Sequence, residues 1–325
     1  MQDQVRTLRV SSSPHMREPV TTQQIMLCVL IALCPAGIFG VIHFGGKALL
    51  LILACVLSAV GWEILVQYIM KKRITVTDLS AAVTGLLLAY NLPSEAPIWL
   101  GVVGSGIAIV LVKQIFGGLG RNFMNPALAA RAILLTSWVG LMSGAIFDIP
   151  GIMPEATADA VSRATPLVAA DPSPYSLLSL FLGTIPGTIG EVSKICLLAG
   201  GAFLLFTKII NWRIPVCMLG TAFGLFWISS GQLWGSSDSA LYQLLSGGLI
   251  LAAFFMATDY VTSPVTPMGR IVFGVGCGAL AFMIRRFNPS YPEGASYAIL
   301  VMNVVTPLID RYTKPRIYGE VKKRA

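Results

Sequence analysis

Several ionisable side chains lie within or at the ends of long apolar runs of this sequence. The candidates are Glu63, Arg131, Glu191, Lys194, Asp259 and Asp310. Charges in such places are costly to bury and often functional. Glu191 and Lys194 stand three residues apart, so a continuous helix would bring them together as an internal ion pair. For Asp259, Asp310 and Glu191, two interpretations stay open: a structural cap or ion pair, or part of a path for a cation.

A second chemically suggestive stretch is Asp159-Ala160-Val161-Ser162-Arg163-Ala164-Thr165-Pro166. It lies in the polar segment between two groups of apolar runs, and one interpretation is a plain exposed loop. Its pattern D-x-x-S-x-A-T resembles the acceptor sequence of flavin transferases, which join FMN through its phosphate to the threonine hydroxyl. That chemistry requires an accessible hydroxyl on a flexible segment. Thr165 is therefore the predicted attachment point, with Asp159, Ser162 and Ala164 completing the pattern.

Cysteine and histidine usage does not favour a metal centre built from this chain. The six cysteines lie inside apolar runs, and no two of them have C-x-x-C spacing. Two histidines are too few for an intramembrane haem pair. We therefore expect no metal site, and we interpret the cysteines as small buried side chains.

The composition excludes a water-soluble globular protein. Of 325 residues, 55% are apolar and 12% are charged, and the mean hydropathy is +0.76. An ordinary soluble domain is about a quarter charged. Apolar runs of about 20 residues instead span a bilayer as helices. The sequence therefore predicts an all-α integral membrane protein in contact with membrane lipid.

Ten apolar runs predict helices, five on each side of a polar stretch. They fall at about 25–44, 48–70, 79–92, 97–116, 126–147, 185–207, 214–229, 240–258, 271–284 and 295–309. One run stops early at Pro93, and another is interrupted by glycines and a proline between 183 and 190. Broken helices of this kind line internal sites in transporters. The predicted organisation is a cytoplasmic N-terminus (1–24), a first membrane repeat (25–147), an outer loop (148–176), a second membrane repeat (177–311) and a basic cytoplasmic tail (312–325).

The two groups of runs also resemble each other. In the first, a Gly-rich helix is followed by Asn125-Pro126 and then by Ala132-Ile133-Leu134. In the second, a Gly-rich helix is followed by Asn288-Pro289 and then by Ala298-Ile299-Leu300. Five helices per half is an odd number, so the repeats should be inverted in the membrane. Such repeats place a site near the midplane, at their interface.

The positions of the basic residues predict the orientation. With the N-terminus inside, 17 Lys and Arg residues fall in cytoplasmic pieces and 4 in outer connectors. By the positive-inside rule both termini are then cytoplasmic, and the 148–176 loop is outside. The net charge of +8 is spread over short connectors rather than one face, so we expect no nucleic-acid partner.

Several pieces of the chain, in order, resemble one family of membrane redox proteins. They are Asp78-Leu79-Ser80 with 84–89, Phe116-Gly117-Gly118-Leu119-Gly120-Arg121-Asn122-Phe123-Met124-Asn125-Pro126-Ala127-Leu128, Gly190-Glu191-Val192-Ser193, 255–259 with Thr262-Ser263-Pro264, Tyr291-Pro292-Glu293-Gly294, and Pro307-Leu308-Ile309-Asp310. The family holds the RnfD subunits of Rnf complexes and, more distantly, the NqrB subunits of sodium-pumping NADH:quinone reductases. The resemblance covers nearly the whole chain.

The resemblance implies an electron-transfer subunit of an ion-translocating ferredoxin:NAD+ oxidoreductase in a bacterial or archaeal cell membrane. Such a protein carries covalent FMN on its outer loop, here at Thr165, and riboflavin in the membrane domain, and it acts in a complex that moves Na+ or H+. Its implied partners are the membrane and peripheral subunits of that complex, a flavin transferase for maturation, and lipid. No NAD site is expected in this chain.

The stretch Arg121-Asn122-Phe123-Met124-Asn125-Pro126 has two compatible interpretations. Asn125 before Pro126 is a helix cap with proline at the first helical position. Combined with the resemblance, Arg121, Asn122 and Asn125 also form the predicted site for the riboflavin ring, since amides can both donate and accept hydrogen bonds.

Two other functions stay open on the sequence alone. One is that of an NqrB protein in a sodium-pumping quinone reductase. The other is a secondary transporter, which would explain inverted repeats and buried charges but leaves the Asp159–Thr165 pattern unexplained. A purely structural membrane scaffold is a third interpretation.

Overall fold

The structure is a computed structural model of the chain. It describes residues 20–143, 176–185, 187–191, 193–234, 236, 238–288 and 293–314. Every regular element within these ranges is helical, which confirms the predicted all-α class.

The helices follow one another through short connectors. They are α1 (Thr22–Phe44), α2 (Gly46–Ile69), α3 (Ser80–Tyr90), α4 (Ile98–Gly106), α5 (Pro126–Ser137), α6 (Val139–Ser143), α7 (Leu177–Leu182), α8 (Lys194–Phe206), α9 (Arg213–Ser230), α10 (Ala240–Leu245), α11 (Leu249–Leu251), α12 (Pro267–Phe287) and α13 (Ala295–Thr313). Two of them continue as π-helices, α4 through Ile107–Gln114 and α11 through Ala252–Met256. A 3₁₀ turn, Val76–Asp78, precedes α3.

Four of these helices, α1, α2, α9 and α12, are long and apolar enough to cross a membrane. Many large apolar side chains on them are exposed, such as Ile42 and Leu57 on the first two and Ile228 on α9. Exposed apolar surface of this extent needs lipid or other membrane helices around it. The chain is an all-α membrane protein.

Each of the ten predicted runs contains a helix. The run at 185–207 becomes helical only at Lys194, after the glycines and the proline between 183 and 190, so its predicted interruption is confirmed. One prediction was wrong in detail: the run at 240–258 is interrupted between Leu245 and Leu249, and that break was not predicted. The short helix α7 precedes the first of these two runs and was not predicted.

The two broken segments that the sequence indicated pair with each other. The residues after α3 meet those before α8: Ile189 N donates to Leu92 O at 3.3 Å, and Gly190 N donates to Tyr90 O at 3.1 Å. These bonds satisfy backbone groups that a helix would otherwise satisfy, as the membrane interior demands. Position 190 requires glycine, because a Cβ there would collide with the Tyr90 side chain.

The two predicted repeats contact each other through α1 with α8 and through α5 with α13. By the predicted bounds, the first repeat holds α1 to α6 and the second holds α7 to α13. The similarity between them remains a prediction from the sequence. The helices at the interface between the repeats are therefore α1, α5, α8 and α13.

The contact between α1 and α8 provides a prediction for packing. A Cβ on Gly200 would collide with the Ala32 carbonyl of α1 and lie 3.1 Å from the Phe255 ring. We expect Gly200→Ala to lower the free energy of unfolding by about 1–3 kcal/mol, because backbone cannot yield easily. Gly220→Ala is the matched control, since nothing lies within 4 Å of its added Cβ. Thermal unfolding in detergent compares the two, and equal melting temperatures would contradict the tight contact between the repeats.

Candidate functional site

A cleft opens at the end of the repeat interface that the basic-residue count predicts to be cytoplasmic. We call it the inner cleft. It encloses about 770 Å³ between its lining atoms, its open mouth included. Its polar lining is Ser80, Thr84, Lys113, Asn122, Asn125, Thr258, Asp259 and Tyr260, and its apolar lining includes Ile25, Met26, Val29, Leu87, Phe254 and Phe255. A mostly apolar cleft with a few convergent polar groups is the usual form of a small-molecule site.

Asn122 and Asn125 both line the inner cleft, but they differ in how many of their side-chain hydrogen-bonding atoms are already used. Asn125 Oδ1 accepts from the amides of Ala127 (3.1 Å) and Leu128 (3.3 Å), and its Nδ2 donates to Met256 O at 3.2 Å. The predicted cap on α5 is therefore confirmed. Asn122 makes one side-chain hydrogen bond, from Nδ2 to Met124 O at 3.2 Å. Its carbonyl oxygen thus remains available as an acceptor within the described part of the chain.

Arg121 and Asp310 do not line the inner cleft. Arg121 is exposed beside Gly117, so the structure does not bring it together with the two asparagines. Asp310 accepts the Val265 amide at 3.1 Å and so fixes the connector before α12. Val265 precedes the N-cap Thr266 of α12, so this bond is not a helix cap, and the role of Asp310 remains a prediction.

Asp259 is the carboxylate of the inner cleft. It accepts the Thr262 hydroxyl at 3.1 Å and the Val261 amide at 3.5 Å, which closes a turn after the second π-helix. Both predicted interpretations of Asp259, a structural role and an ion path, remain predictions. Burial raises the pKa of the Asp259 carboxyl, and the hydrogen bonds from Thr262 and Val261 oppose that shift. Asp259 is half-buried and lines the inner cleft.

A buried charge network stands behind the wall of the inner cleft. Lys113, at the end of the first π-helix, donates to Glu63 Oε1 of α2 at 2.8 Å and to Ser80 Oγ at 2.6 Å. Gln114 donates to the same Glu63 oxygen at 2.8 Å, and Gln67 does so at 3.3 Å. Lys113 and Glu63 are 2% and 1% exposed in their side chains. This Glu63 network therefore neutralises the one lysine among the described residues that line the cleft.

A second charge cluster lies deeper, where the two repeats meet. Arg131 of α5 donates to Asn91 Oδ1 at 3.0 Å and to Ser296 Oγ at 2.6 Å. It pairs with the Glu293 carboxylate, and its Nη2 lies 3.9 Å from Glu191 Oε1. Arg131 and Asn91 belong to the first repeat and the other three residues to the second. The Arg131 cluster therefore holds the repeats together through buried charge.

The predicted ion pair between Glu191 and Lys194 was wrong. Glu191 precedes α8 instead of lying on it, and Lys194 Nζ donates to the backbone carbonyls of Glu191 and Gly247, the latter at 2.8 Å. Arg285 donates to the carbonyls of Gln243 (2.5 Å) and Ser246 (3.2 Å). Cations are favoured at the C-terminal end of a helix, so these two side chains compensate the free carbonyls where α10 breaks.

The predicted flavin-attachment residues Asp159, Ser162, Ala164 and Thr165 lie outside the described residues. The structure therefore neither brings them near the inner cleft nor separates them from it. Their role remains a prediction from the sequence pattern.

Sequence reasoning missed Lys113 as a site residue and counted it among the cytoplasmic cations. Its position inside the run at 97–116 was a usable signal, because a lysine within an apolar run needs a partner. With Lys113 buried, the basic count on the inner side falls from 17 to 16, which leaves the predicted orientation unchanged. Glu293 was also missed, and it follows directly on residues that the structure does not describe.

The sequence matches the model of the NQR2, RnfD, RnfE family over residues 9–319. The chain belongs to this family. The match includes both repeats, the inner cleft and the Arg131 cluster.

Individual relatives match along nearly their whole length. The D subunit of the Na(+)-translocating ferredoxin:NAD(+) oxidoreductase complex of Acetobacterium woodii is 50% identical, with 98% of each chain covered. The D subunit of the proton-translocating ferredoxin:NAD(+) oxidoreductase complex of Clostridium ljungdahlii is 43% identical, with 95% of this chain and 96% of the relative covered. The D subunit of the ion-translocating oxidoreductase complex of Stutzerimonas stutzeri is 38% identical, with 92% of each chain covered.

Proposed function

We propose that this chain is the RnfD membrane component of an ion-translocating ferredoxin:NAD+ oxidoreductase complex and that it passes electrons through bound flavins. The chain is similar over nearly its full length to three proteins named as D subunits of ion-translocating oxidoreductase complexes, two of them ferredoxin:NAD(+) oxidoreductases. This similarity supports the role and implies other subunits of the complex as partners. The same names favour electron transfer over the secondary-transporter alternative. They do not separate Na+ from H+, because one relative is named for each ion.

One flavin in this proposal is FMN joined through its phosphate to Thr165. The support is the D-x-x-S-x-A-T pattern from Asp159 to Thr165 and its place in a loop predicted to lie outside. A flavin transferase working on that side would complete the modification. The phosphoester joins the flavin covalently to the chain, so the flavin stays with the chain after denaturation.

The second flavin in this proposal is riboflavin in the inner cleft. The observation that carries it is the charge balance of the described lining: one lysine neutralised by Glu63, and one carboxylate, Asp259. A lining of this kind does not suit a flavin phosphate, whose charge would be left uncompensated. Riboflavin lacks that phosphate. The free Asn122 carbonyl oxygen fits the ring edge, which carries both N–H and C=O groups.

In this proposal, different residues of the inner cleft contact the ring face and the ring edge. Flavins supply electron transfer in which electrons are accepted and released one at a time. Phe254, Phe255 and Leu87 offer apolar surface to a flat ring and exclude water from it. Asn122 orients the ring edge, while Asn125 shapes the wall through its cap and its bond to Met256.

Coupling to an ion is the remaining part of the proposal. Asp259 lies in the same cleft as the proposed riboflavin site, so a charge change there would be felt by a cation or proton at its carboxylate. Asp310 and Glu191 do not line the inner cleft. In this proposal they affect the ion path indirectly, Asp310 through its bond to Val265 and Glu191 through its contact with Arg131. We therefore assign Asp259 the direct role in an ion path and the other two a supporting role.

Substituting the two asparagines separately tests the riboflavin site. Asn122→Ala removes a group with one structural hydrogen bond, so we expect riboflavin to bind about tenfold more weakly or worse with an almost unchanged melting temperature. Asn125→Ala removes a helix cap and is expected to cost about 0.5–2 kcal/mol of stability as well. The measurement is acid-extractable riboflavin per chain, beside a thermal unfolding curve. Full riboflavin retention in Asn122→Ala would contradict the site.

A further inference from the structure

A second cleft lies beside the inner cleft, on the same predicted cytoplasmic side. It is formed between the end of α8, the start of α9 and the start of α12, and it encloses about 1040 Å³ with its open mouth. Four residues line both clefts: Ile209, Ile210, Thr258 and Tyr260. We call it the Lys208 cleft. Nothing in the proposed electron-transfer role uses it.

The Lys208 cleft is positively charged. Lys208 and Arg270 line it, and none of its described lining residues is acidic. Neither cation forms an ion pair with a described residue; Arg270 uses its Nε to donate to Pro264 O at 3.1 Å. The neighbouring carboxylate, Asp259, lines the inner cleft instead. Two cations thus line this cleft without a compensating charge from the described chain.

Lys208 stands at the end of α8, after the C-cap Thr207. It has φ 57°, in the left-handed region where glycine is the usual residue.

Aromatic side chains at the mouth point to an amphipathic ligand. Trp212 and Tyr260 line the Lys208 cleft and are 55% and 52% exposed. Phe206, two residues before Lys208, is 86% exposed. Tryptophan and tyrosine are enriched at membrane–water interfaces, where lipid headgroups lie. Basic pockets between membrane helices on the cytoplasmic side bind anionic lipid headgroups.

We propose that the Lys208 cleft binds the phosphate of an anionic phospholipid, with Lys208 and Arg270 as its cationic ligands. The acyl chains lie outward along Trp212 and Phe206. A free phosphate ion shares the chemistry of the headgroup but would gain nothing from the apolar rim. The clefts share part of their wall, but Lys208 and Arg270 do not line the inner cleft, so the lipid site and the proposed riboflavin site can fail independently.

Lipid titration of the purified full-length chain tests this site by native mass spectrometry. The probes are short-chain phosphatidylglycerol, phosphatidylcholine with the same chains, and inorganic phosphate. We expect phosphatidylglycerol to bind more tightly than phosphatidylcholine and to resist displacement by phosphate. Lys208→Gln with Arg270→Gln should weaken its binding about 25-fold, because each charge contributes a factor of about five. Lys208→Arg with Arg270→Lys should retain binding, which separates lost charge from a lost fold.

The matched control is Lys71→Gln with Arg73→Gln. These residues are exposed on the same predicted side, and Lys71 also has a left-handed backbone at a helix end, with φ 51°. The control should change phosphatidylglycerol binding less than about twofold, because screened exposed charges act weakly. Equal weakening by both pairs would overturn the proposal. So would loss of binding in the charge-retaining pair, no preference over phosphatidylcholine, or displacement of the lipid by phosphate.

Discussion

Replacing Thr165 by valine is expected to remove the covalently bound flavin completely. Valine has nearly the shape of threonine but no hydroxyl, so no phosphoester can form at that position. The protein should still insert into the membrane, because residue 165 lies in the polar segment between the two repeats. The measurement is flavin fluorescence of the protein band in a denaturing gel, where only covalent flavin remains with the chain.

Thr157→Val is the matched control for this change. Thr157 lies in the same polar segment but outside the D-x-x-S-x-A-T pattern, so its band should stay fluorescent. A fluorescent Thr165→Val band would place the flavin elsewhere. Loss of fluorescence in both variants would show that the segment, rather than the Thr165 hydroxyl, is what the transferase requires.

Replacing Lys113 by methionine is expected to cost about 3–5 kcal/mol of unfolding free energy, because it leaves the Glu63 carboxylate buried without its cation. Glu63 Oε2 already lacks a hydrogen-bond partner among the described residues, so the carboxylate has little else to compensate its charge. Adding Glu63→Gln should recover most of the loss. Glutamine keeps an acceptor for Gln114 and Gln67 while removing the charge.

Lys47→Met is the matched control for the buried pair. Lys47 lies 3.0 Å from Glu95, nearly the distance between Lys113 and Glu63, but it is 74% exposed. Exposed pairs contribute less than about 1 kcal/mol. Chemical or thermal unfolding of the single and double variants supplies the measurement. A loss in Lys113→Met no larger than that in Lys47→Met, or no recovery with Glu63→Gln, would contradict the charge network.

Hydropathy alone predicts most of the fold, because bilayer thickness sets the length of each apolar run. The breaks were harder to predict. Pro93 correctly indicated the end of α3, but the late start of α8 depends on pairing between residues 92 and 189. The gap after Leu245 is stabilised by Arg285 and Lys194, which come from distant elements. Such tertiary contacts leave no local pattern in the sequence.

The candidate site was predictable where its geometry is local. An asparagine directly before a proline at the start of a helix predicts an N-cap at Asn125, and the structure shows that cap. The pair between Lys113 and Glu63 spans 50 residues of sequence, so its partners could not be matched without the packing of α2 against α4. The predicted pair of Glu191 with Lys194 failed because it assumed a helix continuous through Glu191.

Counting flavins after acid precipitation of the purified protein shows whether this chain holds two flavins, one covalent and one non-covalent. We expect one FMN that stays with the precipitated chain and one riboflavin that is released into the supernatant. Both are measured against the protein concentration, with the released flavin identified by chromatography. A precipitate without FMN, or a supernatant without riboflavin, would contradict the proposal of two flavins.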